Sequence, residues 1–353
     1  MIFKSSEALL ITSRPNIYHF SKIDVSGGVF LLLAKQKKFV FADARFIRGA
    51  ARIAHGFIPI ATDKTDFSWW RQLLKRQEIK TVFFEPFDLT YYQLQKFRKI
   101  SRGLAELKPT KVDLRVLRSQ KSQTELAKIK KALSATEEIV GEIVKICRAG
   151  VFGKRKVSEY DLSCAIHHQA FLRGLPHLAF APIVAFGKNT GIPHHQPART
   201  RQLKKGDMIL LDLGVKYHNY CSDLTRVFFT ASPTSRQAEV YQKVLLAQEA
   251  ALKKIKAGVK ASSLYDEVNK IFGTQIAHFT HGLGHGVGLE IHEHPSLKLE
   301  SRDQLSNAQV ITVEPGLYFS WGGVRIEDMV VVRENSAQNL TKWPKELEQV
   351  VIK

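Results

Sequence analysis

Short apolar runs bounded by turn formers open the chain. Residues 8–12 and 29–34 are framed by Ser13, Pro15, Gly27 and Gly28 and read as strands, with residues 39–42 and 81–84 as a third and a fourth. Between them, residues 43–54, 67–77 and 91–100 carry apolar positions at helical spacing. Strands alternating with helices predict a small α/β domain that ends near Arg118, so that residues 1–118 form one domain and residues 119–353 a second. Asp24, Asp43 and Asp88 are scattered through the first domain and are expected to cap elements or face solvent. Nothing in that domain reads as a catalytic constellation.

The pattern changes after residue 118. Ser122-Gln-Thr-Glu125 has the form of a capping box. Leu126, Ile129, Leu133, Val140, Ile143, Val144 and Cys147 follow on one helical face as far as Gly150. A second helix is predicted from Ser158 to Gly174. The same plan then recurs. A helix after Pro233 stops at Gly258 behind Lys253, Lys254 and Lys256, cations suited to a helix C-terminus, and a short helix runs from Ser262 or Ser263 to Phe272. Ala149-Gly150-Val151 matches Ala257-Gly258-Val259, 108 residues on, and Tyr160-Asp161 matches Tyr265-Asp266, 105 residues on. These matches are short, but they fall in register with a repeated order of elements, which points to duplication of a helix, helix, strands unit.

Each half closes in a hairpin that brings two carboxylates together. In residues 208–229 a two-residue turn at Tyr217-His218 would set Asp212 opposite Asp223; in residues 310–332 a turn at Ser320-Trp321 would set Glu314 opposite Glu327. Like charges facing each other across a ladder destabilise it, and apolar flanks raise one pKa of each pair. An arrangement that is unfavourable without a cation therefore occurs twice. Either pair alone would pass as surface charge.

A fifth donor lies in residues 281–295, HGLGHGVGLEIHEHP. Each of its alternating glycines costs roughly 1 kcal/mol in a helix relative to alanine, so an extended or tightly turning backbone is predicted. There His281 and His285, four residues apart, would share a face, and glycines would let the chain pass close to its neighbours. Four of the chain's 13 histidines are here, more than a histidine-bearing surface loop requires. Four carboxylates with His285 make an oxygen-rich set that suits a divalent first-row metal: Mn(II) foremost, or Co(II), Fe(II) or Zn(II). Charge favours two ions, since one would leave an excess of negative charge. Two ions roughly 3.5 to 4 Å apart can lower the pKa of a shared water and polarise a carbonyl, as a hydrolase requires.

Composition sets the frame for this chemistry. The chain has 353 residues, 44% hydrophobic and 24% charged, which are globular averages. It carries no apolar span of the length a membrane helix or signal peptide needs. Three cysteines, Cys147, Cys164 and Cys221, are far apart and suit reduced thiols. A soluble, cytoplasmic protein is expected. The net charge of +20 is biased to the first 120 residues, with 22 Lys+Arg against 10 Asp+Glu. Such charge favours loose attraction to polyanions. The basic residues are interleaved with apolar ones and no nucleic-acid motif accompanies them, so no specific nucleic-acid partner is expected.

These five positions, in this order and spacing, resemble the pita-bread metallopeptidases (M24) that include Xaa-Pro aminopeptidase, Xaa-Pro dipeptidase (prolidase) and methionine aminopeptidase. The resemblance covers nearly the whole chain. It implies an α/β (α+β) protein, with a creatinase-type N-terminal α/β domain before a duplicated catalytic domain whose curved sheet is largely antiparallel. It implies that Asp212, Asp223, His285, Glu314 and Glu327 hold two metal ions, with Asp223 and Glu327 as bridges. Glu314 would also act as general base. His194, His281 and His292 would meet the substrate carbonyl and developing oxyanion, and Tyr318 and Arg325 would lie near the substrate pocket. The implied activity is hydrolysis of the Xaa-Pro bond at the N-terminus of peptides, by a homodimer. Ser296 replaces an Arg that dipeptidase members tend to use for the substrate's free carboxylate, which points to an aminopeptidase over a dipeptidase. Phe186, where a small residue is common, would narrow the entrance. Metal-free members that serve as interaction modules, and creatinase-type amidinohydrolases, are disfavoured by the intact ligand set.

Overall fold

Six strands, β1 (Glu7–Ile11), β2 (Val29–Ala34), β3 (Lys38–Asp43), β4 (Ile58–Thr62), β5 (Thr81–Phe84) and β6 (Glu106–Pro109), form one mixed sheet in the order β4-β3-β2-β1-β5-β6. The computed structural model describes residues 4–24, 27–63, 67–154 and 156–353. Alternate residues of the central strands feed two cores. Ala8, Leu10, Leu32 and Phe41 pack under α3 (Ser68–Arg76) and α4 (Tyr91–Ser101), while Leu9, Ile11, Leu31 and Val40 pack with residues of α1 (Arg14–Ser21) and α2 (Ile47–Ile53). A sheet covered on both faces needs apolar residues at consecutive positions, which is why these strands read as unbroken runs.

The unanticipated elements have local causes. Ser13 and Pro15 bound β1 as expected, and they also start a helix: Ser13 is the N-cap of α1, accepting from the backbone N–H of Asn16, and the proline lies in its first turn. Edge strands β4 and β6 bury little: β6 buries Leu107 alone. The last helix of this unit, α5 (Leu114–Ser119), has six residues. The chain divides into two compact units, Met1–Arg118 and Ser119–Lys353.

In the second unit the order helix, helix, strands occurs twice. Helices α6 (Gln123–Phe152) and α7 (Glu159–Leu172) precede the antiparallel sheet of β7 (Ile183–Phe186), β8 (Met208–Leu213) and β11 (Leu224–Phe229); a small ribbon, β9 (Lys216–Tyr217) with β10 (Tyr220–Cys221), extends the β8–β11 hairpin. Helices α8 (Ser235–Lys254) and α9 (Ala261–Phe272) precede the second sheet. Its strands β12 (Gly284–Gly286), β13 (Glu293–Leu297), β14 (Val310–Val313), β17 (Asp328–Val332) and β18 (Ala337–Asn339) run in the order β13-β12-β14-β17-β18. A ribbon of β15 (Gly316–Phe319) and β16 (Gly322–Arg325) forms the tip of its hairpin. Capping boxes start three of the four helices, at Ser122/Glu125, Ser158/Asp161 and Thr234/Gln237. Helix α6 continues past Gly150 to Phe152 and ends on Gly153. No helix among the described residues is long and apolar enough to cross a membrane.

The hairpin registers decide where the carboxylates lie. In the second hairpin Phe319 pairs with Gly322 and Gly316 with Arg325, so the turn is at Ser320-Trp321 and Glu314 and Glu327 fall between the paired segments, as expected from their spacing. The first hairpin differs by one residue. Tyr217 pairs with Tyr220, and the turn residues are His218 and Asn219, with φ of 46° and 69°. Two consecutive left-handed residues make the type I′ turn that matches strand twist, and asparagine tolerates that conformation where tyrosine does not. Sliding the turn by one shifts the register by two, so Asp212 pairs with Thr225 and not with Asp223.

Candidate metal centre

The glycines of residues 281–295 are there for close approach. A Cβ on Gly284 would lie 2.1 Å from the Thr312 carbonyl oxygen, and one on Gly286 would lie 2.2 Å from that of His294. Only glycine allows β12 to lie so close to its neighbours. His285, between them, is thereby carried against β14, and its backbone N–H donates to Thr312 Oγ1 at 3.0 Å.

Asp223, His285 and Glu327 each present a ligating atom, all within 4.8 Å of one another. His285 Nε2 is 3.3 Å from Glu314 Oε1 and 3.6 Å from Asp223 Oδ2. The other ring nitrogen, Nδ1, is 3.1 Å from the Gly286 carbonyl oxygen, which can only accept, so Nδ1 carries the proton. Nε2 faces two carboxylates. Burial acts to lower the pKa of the ring, but the hydrogen bond and charge of Glu314 outweigh it and raise it. The charged ring therefore donates to Glu314, whereas the neutral ring would turn a lone pair on the same place for a cation to satisfy. Asp212 completes the set: Oδ2 accepts from Arg325 Nη2 at 2.5 Å, while the buried Oδ1 has no hydrogen-bond partner among the described residues.

The electrostatics agree with the geometry. Burial, then the charges of Glu327, Asp212 and Glu314, push Asp223 well above the usual carboxylate range. Glu327 is likewise pushed well up, by burial and then by Glu314 and Asp212. Burial raises Asp212 in spite of Arg325. Burial also acts to raise Glu314, but the hydrogen bond and charge of His285, with His281 and Arg325, outweigh it and bring that carboxyl down to about 2. A buried carboxylate with an oxygen unbonded among the described residues, two carboxyls forced upward and an imidazole nitrogen turned to the same place form a donor set that fits divalent metal ions.

Around this set the remaining candidates are distributed unequally. Arg325 also donates through Nη1 to Tyr318 Oη at 2.8 Å, and Tyr318 Oη lies 2.7 Å from His281 Nε2. His281 Nδ1 is 2.8 Å from the Gly282 carbonyl oxygen, so it donates there and Nε2 accepts from the tyrosine. Both nitrogens of His281 are thus engaged within the protein, and burial holds its pKa down to about 4. His292 is exposed, with its ring edge-on to His285 at 4.3 Å between centroids. His194 is exposed on the segment after β7, near enough for its charge to act on Asp212, His281 and His292. Phe186 does not narrow an entrance: it is fully buried within β7.

Two supporting residues escaped the sequence reading. Thr225 donates to Glu327 Oε2 at 2.7 Å and accepts from Arg325 Nε at 3.1 Å; Thr312 donates to Glu314 Oε1 at 3.1 Å. Each threonine stands two residues from a candidate ligand, Asp223 or Glu314, and the period of a strand puts such residues on one face.

The sequence pattern of metallopeptidase family M24 matches residues 127–334, and that of the creatinase/prolidase N-terminal domain matches residues 3–120. The chain belongs to metallopeptidase family M24. This M24 metallopeptidase is 32% identical over 348 residues to an Xaa-Pro dipeptidase of Pyrococcus furiosus, covering 97% of this chain and 95% of that one. Its fold matches the Xaa-Pro dipeptidase of Bacillus anthracis, with a TM-score of 0.90 at 28% identity over 98% of this chain and 94% of that one. It matches the X-Pro aminopeptidase of Thermotoga maritima equally broadly, with a TM-score of 0.88 at 28% identity over 98% and 97%. Membership of M24 implies divalent metal ions, and Asp223, His285 and Glu327 form a group that could hold one.

Proposed function

We propose that this metallopeptidase removes the N-terminal residue from peptides with proline second, using two divalent ions, with manganese the first choice, held by Asp212, Asp223, His285, Glu314 and Glu327. In this reading residues 1–118 are the creatinase-type domain and 119–353 the catalytic domain. The observation that carries it is the convergence of His285 Nε2 and the buried carboxylates on one place. Uncompensated, such a cluster is costly to bury.

When bound, the ions polarise the scissile carbonyl and lower the pKa of the attacking water. The protein's own groups do the rest. Glu314, in contact with His285 and Thr312, takes the water's proton and delivers it to the departing prolyl nitrogen. His292 and His194, both exposed at the site, donate to the oxyanion as it develops. His281 acts one step back, fixing Tyr318 and through it Arg325. The prolyl bond suits such a site because its nitrogen has no N–H for an extended-substrate peptidase to grip.

Selectivity for longer peptides is supported by the surroundings of Ser296. Its backbone N–H donates to Asp303 Oδ2 at 2.8 Å, so a carboxylate stands beside the position where dipeptidase members tend to carry an arginine. The charge of Arg325 is committed to Asp212. The second reading, an Xaa-Pro dipeptidase, is supported by the names of relatives aligned along almost the whole chain. Steady-state kinetics of the manganese-reconstituted protein on Ala-Pro and Ala-Pro-Ala separate the two. The tripeptide should have the higher kcat/KM; a dipeptide preference of tenfold or more, about 1.4 kcal/mol of transition-state stabilisation, would make prolidase the right description.

A further inference from the structure

The segment that carries His194 is held from beneath by one buried carboxylate. Glu159, the first residue of α7, is fully buried and accepts four hydrogen bonds. Oε1 receives the Phe186 N–H at 2.7 Å and Asn189 Nδ2 at 2.9 Å; Oε2 receives His195 Nε2 at 2.8 Å and the Ala198 N–H at 2.9 Å. The donors span residues 186–198, so the carboxylate closes this segment into a loop with His194 inside it. The loop is also tied to the second hairpin: Thr190 Oγ1 accepts from the Gly323 N–H at 2.8 Å, and the Pro193 carbonyl accepts from Arg325 Nη1 at 3.3 Å.

Capping α7 does not account for this. Ser158 and Asp161 already form a complete capping box at that helix start. The helix N-terminus favours a negative charge at Glu159, but its oxygens are directed to the loop. Burying a carboxylate is costly unless its acceptor positions are filled, and here they are filled by donors from one functional segment. His194 is exposed, so its direction is set by backbone that Glu159 and the second hairpin both hold.

We propose that Glu159 is a positioning residue that holds the 186–198 loop so that His194 meets the substrate oxyanion. This rests on the role given to His194 above. Glutamine at 159 keeps the size but turns an amide N–H₂ toward N–H donors, at least one of them the backbone of Phe186 or Ala198, which cannot reverse its polarity.

A double-mutant cycle with His194 tests the proposal, with E159Q, H194A and the double variant assayed as metal-loaded enzymes on Ala-Pro-Ala. E159Q should lower kcat/KM by about 10- to 100-fold, the range for groups that orient an active-site side chain, with the loss mainly in kcat. In the H194A background the same change should cost less than about twofold, because the residue it acts through is gone. Hydrogen exchange should quicken in residues 186–198 of E159Q and stay unchanged elsewhere, and the bound metal should match wild type. Full additivity, wild-type activity of E159Q or a general rise in exchange would each overturn the proposal. If H194A itself costs nothing, the reading of His194 falls first and this inference with it, an outcome distinct from additivity. Should E159Q fail to fold, N189A removes one tether with less disturbance, and its smaller loss must vanish in the same way in the H194A background.

Discussion

In the hairpin of residues 208–229 the ladder pairs Asp212 with Thr225, and its two carboxylates are offset along the strands. In the hairpin of residues 310–332 Glu314 and Glu327 stay in register, and the ladder opens around them: the Glu314 N–H donates to the Leu283 carbonyl and the Glu327 N–H to that of Thr225. The two hairpins occupy corresponding places in a repeated order of elements, yet neither supports its own carboxylates fully. Thr225, from the first, donates to Glu327 of the second; Arg325, from the second, donates to Asp212 of the first. The difference teaches that the duplicated halves have become reciprocal supports, so that damage to one hairpin is read at the other.

The largest expected effect comes from removing a shared carboxylate on either side. Asp223→Ala and Glu327→Ala should each lower kcat/KM at least ~1,000-fold, roughly 4 kcal/mol, with less metal retained per chain. Near-normal turnover of either would refute its role. Chelation should lower Tm in the wild type. Ligand at 100 times its Kd stabilises by about 2.7 kcal/mol, and for a domain of this size that is roughly 5–10 °C. An unchanged Tm after verified metal removal would break the link between the carboxylates and bound cations.

Arg325 comes next, as the group that crosses between hairpins. It serves Asp212, Tyr318, Thr225 and the Pro193 carbonyl at once, a pattern that a planar guanidinium can make and an ammonium cannot. Arg325→Lys should lower kcat/KM about 100-fold, and in an Asp212→Asn background most of that loss should disappear. Additive losses would show that the two residues act separately and that the reciprocity is accidental. Smaller again, Thr225→Val and Thr312→Val should each cost about tenfold in kcat/KM. The comparison requires Thr225→Val to disturb Glu327, on the other hairpin, and Thr312→Val to disturb Glu314, on its own; crystal structures of the two variants would separate these results.

The legibility of the molecule follows the same division. The second hairpin could be read from the chain because Ser320-Trp321 and the spacing of Glu314 and Glu327 agree with the register found. The first could not be read to the residue, because the choice between turns at 217–218 and 218–219 rests on which residues accept a left-handed backbone, and the acidic spacing outweighed the asparagine. The longest helix announced itself through the capping box at Ser122/Glu125 and its apolar face, whereas β4 and β6 bury too little to leave an apolar pattern. The set of candidate ligands was visible as residue types at a spacing. Thr225, Thr312 and Glu159 were not, since a threonine in a strand or an acid at a helix start has an ordinary local explanation, and only the fold brings their partners to them. His281 shows the converse: its position was legible, but its engagement with Tyr318 and Gly282 depends on a contact from β15.

The smallest effect bears most directly on why the hairpins differ. With His218 and Asn219 both at positive φ, the first turn depends on residues that accept the left-handed region, where an ordinary L-residue loses roughly 1–2 kcal/mol. Asn219→Ala should therefore destabilise the protein by about 1 kcal/mol, a fall of roughly 2–4 °C in Tm for a chain of this length. Ser320→Ala, in a turn without that demand, should stay within about 0.5 kcal/mol. The effect on catalysis is the sharper measurement. The turn lies at the far end of the ribbon formed by β9 and β10, and six pairs between β8 and β11 hold the register independently, so kcat/KM of Asn219→Ala should stay within about twofold of wild type. If activity instead collapses while the protein remains folded, the turn is what holds Asp212 away from Asp223, and the offset between the carboxylates is a property of two residues at a hairpin tip and not of the strands that carry them.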